Sequence, residues 1–189
     1  YVRYQKDGVN YLIARYYQWN YGERMISRCK HSIEWIESIL QYDWYLTRET
    51  EKLKRILDVN FDMQDIVIGS DIIKAYEEEP WWKEDGISFN DAVFKCQDNN
   101  DGKLFIDIKN GVIKYAFLDY DCDTKHVMNA EQYMNWDCEG WMTNEYIDDE
   151  QKLICFNNIK EISKMAELMT QEEIEDFINC DYQQAKEMI

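Results

Sequence analysis

Asn110-Gly111 sits between two β-prone runs, Lys103–Ile108 and Val112–Tyr120. A tight two-residue hairpin turn needs positive φ at both positions, and Asn followed by Gly meets that demand at least cost. The pair therefore fixes a hairpin here more firmly than any other local signal in the chain. A third β-prone run, Ala92–Gln97, precedes it across Asp98-Asn99-Asn100-Asp101-Gly102, and the three together predict an antiparallel meander. Near the start, Tyr1–Gln5 and Tyr11–Trp19 flank Lys6-Asp7-Gly8, and Asp-Gly predicts a second hairpin, with Asn20-Tyr21-Gly22 breaking the strand after it.

From Glu23 the period changes from two to about 3.6. Met25, Ile26, Cys29, Ile33, Ile36 and Leu40 recur at spacings of three and four, one apolar stripe, with Arg24, Arg28 and His31 on the other face. A second helix is expected over Thr47–Leu57, with Leu46, Leu53, Ile56 and Leu57 inward and Glu51 paired to Arg55. Met63–Ile68 reads as a short strand, Ile72–Tyr76 fits strand or helix, and Asn129–Trp136 reads as a short helix. Lys152–Phe156 reads as a strand. Asn158 with Glu161, and Thr170 with Glu173, have capping-box spacing and start helices running to Met169 and through Ile178, with helix continuing from Asp181. The expectation is an α+β fold: N-terminal β-hairpin and helices, central antiparallel β-meander, C-terminal helices. At 189 residues this is one domain, and no linker or repeat divides it.

Charge is the only sign of two lobes. Residues 1–57 hold ten basic and seven acidic side chains, while residues 58–189 hold eleven and thirty-one, so the net charge of −17 belongs to the second part. A hydrophobic fraction of 46% and an aromatic fraction of 15% argue against a disordered acidic tail. A negative field of this size steers association toward basic surfaces and disfavours anionic lipid and free nucleic acid, except through residues 1–57. No apolar run has the length of a membrane span, and no signal peptide is visible. The six cysteines are scattered without a CxxC pair, which fits reduced thiols in a cytoplasmic protein.

Catalytic signatures are few. The sequence has no GxGxxG, GxxxxGK[ST], GxSxG or HExxH, and it implies no cofactor. Setting Gly102 at position six of a calcium loop puts Gln97 first and Ile108 twelfth, where a bidentate Glu is needed, so that reading fails. Cys122, His126 and Cys138 have no zinc-site spacing, and Cys29 with His31 are two apart on one helix and point in different directions. Asp119, Asp121 and Asp123 alternate at the expected end of the third meander strand. On one strand face they stand about 6.6 Å apart, a spacing suited to holding a divalent cation or imitating a row of phosphates. Further acids cluster at Glu77, Glu78 and Glu79, at Asp148, Asp149 and Glu150, and over Glu172–Asp176. Trp81 and Trp82 adjoin the first cluster, and aromatics beside charges suit a binding hot spot.

The segment Leu12–Trp19, Asn20-Tyr21-Gly22 and Glu23–Leu40, together with the Leu104–Ile108…Gly111-Val112-Ile113 hairpin, is similar to a class of small proteins from phages and gut Firmicutes. The acidic, Tyr/Asn/Ile-rich body resembles phage-encoded inhibitors of bacterial defence, anti-CRISPR proteins among them. That resemblance implies a non-enzymatic inhibitor in the host bacterial cytoplasm, occupying the nucleic-acid-binding surface of a basic partner such as a CRISPR effector nuclease. The partner-facing residues would be Glu77, Glu78, Glu79, Trp81, Trp82, Asp119, Asp121, Asp123, Asp148, Asp149 and Glu150. Two other readings stand beside it: a metal-dependent nuclease or phosphotransfer enzyme using Asp119, Asp121 and Asp123, and a self-associating structural domain.

Overall fold

The computed structural model describes residues 1–18, 22–40, 50–62, 65–66, 69–97 and 100–182. In chain order they form β1 (Val2–Lys6), β2 (Val9–Ile13), β3 (Arg15–Tyr17), α1 (Gly22–Leu40), α2 (Thr50–Asp58), β4 (Val59–Asn60), β5 (Asp65–Ile66) and β6 (Gly69–Asp71). The remainder are α3 (Ile72–Glu78), α4 (Trp81–Glu84), α5 (Phe89–Lys95), β7 (Lys103–Lys109), β8 (Val112–Leu118), α6 (Ala130–Asp137), α7 (Asp149–Met165), β9 (Glu167–Leu168) and α8 (Gln171–Asn179). The fold is α+β. Among the described residues no helix is long and apolar enough to cross a membrane.

Both glycine turns do what their sequences dictate. Asp7 and Gly8 have φ of 52° and 78°, Asn110 and Gly111 have 53° and 75°, and each pair closes an antiparallel hairpin, β1–β2 and β7–β8. The two hairpins join through β1 and β7, which run parallel with Val2 opposite Ile106 and Arg3 opposite Asp107. With β9 parallel to β8, the sheet order is β2-β1-β7-β8-β9. The near-neutral and the acidic segments therefore both contribute strands to one sheet.

Both faces of the sheet are covered. On one, Val2, Tyr4, Ile106, Tyr115 and Phe117 pack against Ile26, Cys29, Ile33 and Ile36 of α1, Tyr133 and Met134 of α6, and Cys155 and Ile162 of α7. On the other, Leu12, Phe105, Ala116 and Leu118 pack against Ile73 and Tyr76 of α3, Val93 and Phe94 of α5, and Ile174 and Phe177 of α8. The result is three layers, with α1, α6 and α7 on one side and α3, α5 and α8 on the other. Burial of two sets of aromatic and aliphatic side chains is the dominant stabilising term.

Several expected elements differ. Ala92–Gln97 is not a strand: Ala92–Lys95 lies in α5, so the meander is a single hairpin whose other neighbours pair in parallel. The Ser88 side chain caps α5 by accepting from Asp91 N–H, and Asp91 and Lys95 pair at 2.7 Å across one turn. Lys152–Phe156 is also helical, inside α7, which starts earlier than expected because Asp148 caps it and Asp149 and Glu150 suit its first turn. Asn158 consequently lies mid-helix, buried, and donates to Asp62 at 2.7 Å instead of capping. Glu51 pairs with Lys54, not Arg55, and Ile56 is only half-buried. Helix does not continue at Asp181 and Tyr182. The helix at 130–137, with its Asn129–Gln132 capping box, and the Thr170–Glu173 box of α8 are as expected. Trp19, Asn20, Tyr21, Leu46, Thr47 and most of Met63–Ile68 fall outside the described residues.

Candidate protein-binding surface

β8 ends at Leu118, so Asp119, Asp121 and Asp123 lie on a turn and not on a strand face. The turn is held from within. Asp119 Oδ1 accepts from Asp123 N–H at 3.2 Å, and Cys122 N–H donates to Asp119 O at 3.2 Å. Cys122, at φ 60°, buries its thiol in the core beneath. The Asp123 carboxylate accepts from Lys125 N–H at 3.0 Å and meets His126 Nδ1 at 2.8 Å, contacts that hold it below the usual carboxylate range. Two of the three carboxylates are thus occupied in shaping the turn, while Asp121 is exposed. Among the described residues no three His, Cys, Asp or Glu side chains gather as a metal-ligating group.

The turn packs against α8. Thr124 donates to Glu175 Oε1 at 3.0 Å, and Gln171 donates to the same oxygen at 2.8 Å. Through Thr124 the turn that bears Asp121 and Asp123 joins the helix that bears Glu172, Glu175 and Asp176, and these two contacting elements form an acidic rim on the α3–α5–α8 layer. Beneath the turn, Lys103 is buried and donates to Phe94 O at 2.6 Å and Tyr120 O at 3.1 Å, tying the end of α5 to the turn. Burial lowers its pKa, against the pull of Cys122, Asp119 and Asp121. Lys114 meets Glu173 at 2.6 Å and Glu167 at 3.7 Å, drawing the Glu173 carboxylate below its ordinary range.

Glu77 and Glu78 lie in α3, and Glu79 ends it before Pro80. Trp81 is 38% exposed and stands edge-on to Tyr76, with ring centroids 5.5 Å apart. Trp82 is half-buried, packs edge-on against Phe89, and carries Lys83 Nζ over its ring at 5.1 Å. Trp82 and Phe89 also line a cavity of about 380 Å³ with Leu12, Ile73, Asn90 and Tyr182. These residues belong to the same layer as the 119–125 turn.

Asp148, Asp149 and Glu150 do not. They start α7 on the opposite layer, where Asp148 accepts from Gln151 N–H at 2.8 Å and caps the helix. The expected partner-facing set is therefore split by the sheet: Glu77 to Trp82 and Asp119 to Asp123 on one side, Asp148 to Glu150 on the other. Of the remaining aromatics, Trp141 is core, 3% exposed.

Three charged features escaped the sequence reading. Glu175 organises the acidic rim through Thr124; nothing local marks a contact across 51 residues. Arg3 reaches Asp107 beneath α8 and continues to Asp176 at 2.8 Å. Asp101 and Asp137 bring their carboxyl groups together where α6 ends. The two aspartates are 36 positions apart, and only the packing of α6 on the β7–β8 hairpin joins them. All six cysteines are free. The chain matches no family model, no curated protein and no solved structure.

Proposed function

We propose that this chain is a non-enzymatic binding protein whose α3–α5–α8 layer occupies a basic surface on a nucleic-acid-handling protein, a CRISPR effector nuclease being the specific partner. The observation that carries this reading is the joining of the 119–125 turn to α8. It brings the turn that carries Asp121 and Asp123 against the helix that carries Glu172 and Glu175, an acidic rim on a folded, aromatic-rich body of net charge −17. Carboxylates arrayed on a rigid surface compete with phosphates for Lys and Arg, and they act chiefly on association rate and partner choice. Trp81, exposed on the same layer, supplies the apolar contact that charge alone lacks.

The test is direct binding to purified effector, with and without its nucleic acid, over a salt series. Binding that weakens steeply with salt and is blocked by bound nucleic acid supports the proposal. Salt-independent binding, or binding indifferent to nucleic acid, overturns it.

A further inference from the structure

On the α3–α5–α8 layer, four elements and the segment after α8 close around the cavity of about 380 Å³. Leu12 of β2 and Ile73 of α3 form its apolar part, while Trp82 of α4, Phe89 of α5 and Tyr182 supply aromatic rings. Asn90 of α5 and Asp181 are its polar members. The wall is tied down by its own side chains. Asn90 Nδ2 donates to Ile178 O at 2.9 Å and to Cys180 O at 2.8 Å, which fixes the chain leaving α8 against α5. Tyr182 Oη donates to Phe177 O, and Trp82 Nε1 donates to Tyr76 O at 3.4 Å. From the β2 side, Asn10 Nδ2 donates to Asp181 O at 3.5 Å.

These bonds decide what the cavity can take. Every side-chain N–H and O–H donor among the lining residues is given to a backbone carbonyl. The Asp181 carboxylate and Asn90 Oδ1 accept no hydrogen bond among the described residues. Only acceptors remain for a ligand, so the ligand must be rich in donors, and a carboxylate beside aromatic rings favours a cation. Lys83 Nζ already rests 5.1 Å from the Trp82 ring centroid, so this indole draws a cation within the molecule itself. A guanidinium fits better than an ammonium: it is planar, carries five donors, stacks on aromatic faces and is the more weakly hydrated of the two. The volume lies near the low end of ligand pockets, about 300–1,000 Å³, and suits a single side chain.

We propose that this cavity receives an arginine side chain of the basic partner, its guanidinium bonded to the Asp181 carboxylate and Asn90 Oδ1 and set among the Trp82, Phe89 and Tyr182 rings. The inference rests on the reading above, in which this layer faces a basic protein. It adds what the acidic rim lacks. A field of carboxylates attracts any basic surface, whereas one arginine seated in a cavity fixes register and slows dissociation.

The test is ¹H–¹⁵N NMR of the full chain, following the Trp82 indole and the Asn90 side-chain amide. The probes are Nα-acetylarginine methylamide and its lysine and norleucine analogues. The expected result is that the arginine probe moves both signals at millimolar concentration and the other two bind about tenfold or more weakly. Asp181→Asn should erase that preference and leave the fold intact, since Asp181 is exposed and its carboxylate makes no hydrogen bond among the described residues. No response to arginine, or an equal response to lysine or norleucine, overturns the proposal. The titration needs no nuclease. An arginine response in a chain that binds no effector would strike the partner proposed above and leave the cavity's ligand class standing, while effector binding without an arginine response strikes the cavity alone.

Discussion

Arg3 and Asp107 stand opposite each other on the parallel strands β1 and β7 and close a two-point ion pair, at 2.8 and 2.7 Å, with side chains only 3% and 8% exposed. The Arg3 guanidinium also lies 4.8 Å above the Phe177 ring, so one residue joins both hairpins to α8. Removing one partner leaves a buried charge uncompensated. Arg3→Met is therefore expected to cost about 3–5 kcal/mol in urea unfolding, while Arg3→Met with Asp107→Leu recovers most of the loss. If both variants lose the same amount, the pair is not the origin of the cost.

Asp148 separates binding from capping. Because its carboxylate caps α7, Asp148→Ala should lower stability by about 1 kcal/mol, and Asp148→Ser should restore it with the charge removed. Neither variant should change affinity for the basic partner, since Asp148 lies on the layer away from the acidic rim. Thermal unfolding of both variants, with binding measured in parallel, checks both statements.

The rim itself is tested by reversal of charge. Asp121→Lys with Glu172→Lys is expected to slow association with the basic partner about tenfold or more at low salt, the difference shrinking as salt is added. Asp149→Lys, fully exposed on the other layer, is the matched control and should leave the rate unchanged. Equal effects from both would assign the steering to net charge alone.

Asp62 governs stability in acid. Burial works against its carboxylate, but hydrogen bonds from His31 at 3.1 Å and Asn158 at 2.7 Å outweigh it and hold the group at about 2, against 3.8 ordinarily. A depressed carboxylate stabilises the fold above its unfolded value, and the contribution disappears as pH falls from about 3.8 toward 2. Asp62→Asn should therefore be less stable than wild type by about 2 kcal/mol at pH 6, with the gap closing near pH 2. A gap of constant size across denaturation curves at those pH values would count against this account.

Local chemistry was legible in the sequence where it was self-contained. Asp7-Gly8 and Asn110-Gly111 each determine a turn within two residues, and Thr170 with Glu173 closes its cap within one helical turn. The apolar stripe of α1 needed only its own spacing. Ala92–Gln97 and Lys152–Phe156 misled because short apolar runs suit either a strand or a buried helix. The deciding signals lay upstream, at Ser88 and Asp148. The candidate surface was half visible. Its acids could be counted, but the sheet that parts Asp148 from Asp121, and the Thr124–Glu175 contact that unites two clusters, depend on tertiary packing that no local pattern encodes.

Strand β1 comes from the start of the chain yet lies between β2 and β7, and Arg3 meets a partner 104 residues later. A ribosome must therefore make 104 residues beyond Arg3 before this strand has its neighbour on the second side. Until then the β1–β2 hairpin has an open edge and an apolar face, the kind of intermediate that folds slowly and associates with other chains. Completion of the sheet should be a late event, and truncations that stop before Lys103 should aggregate instead of yielding a stable half.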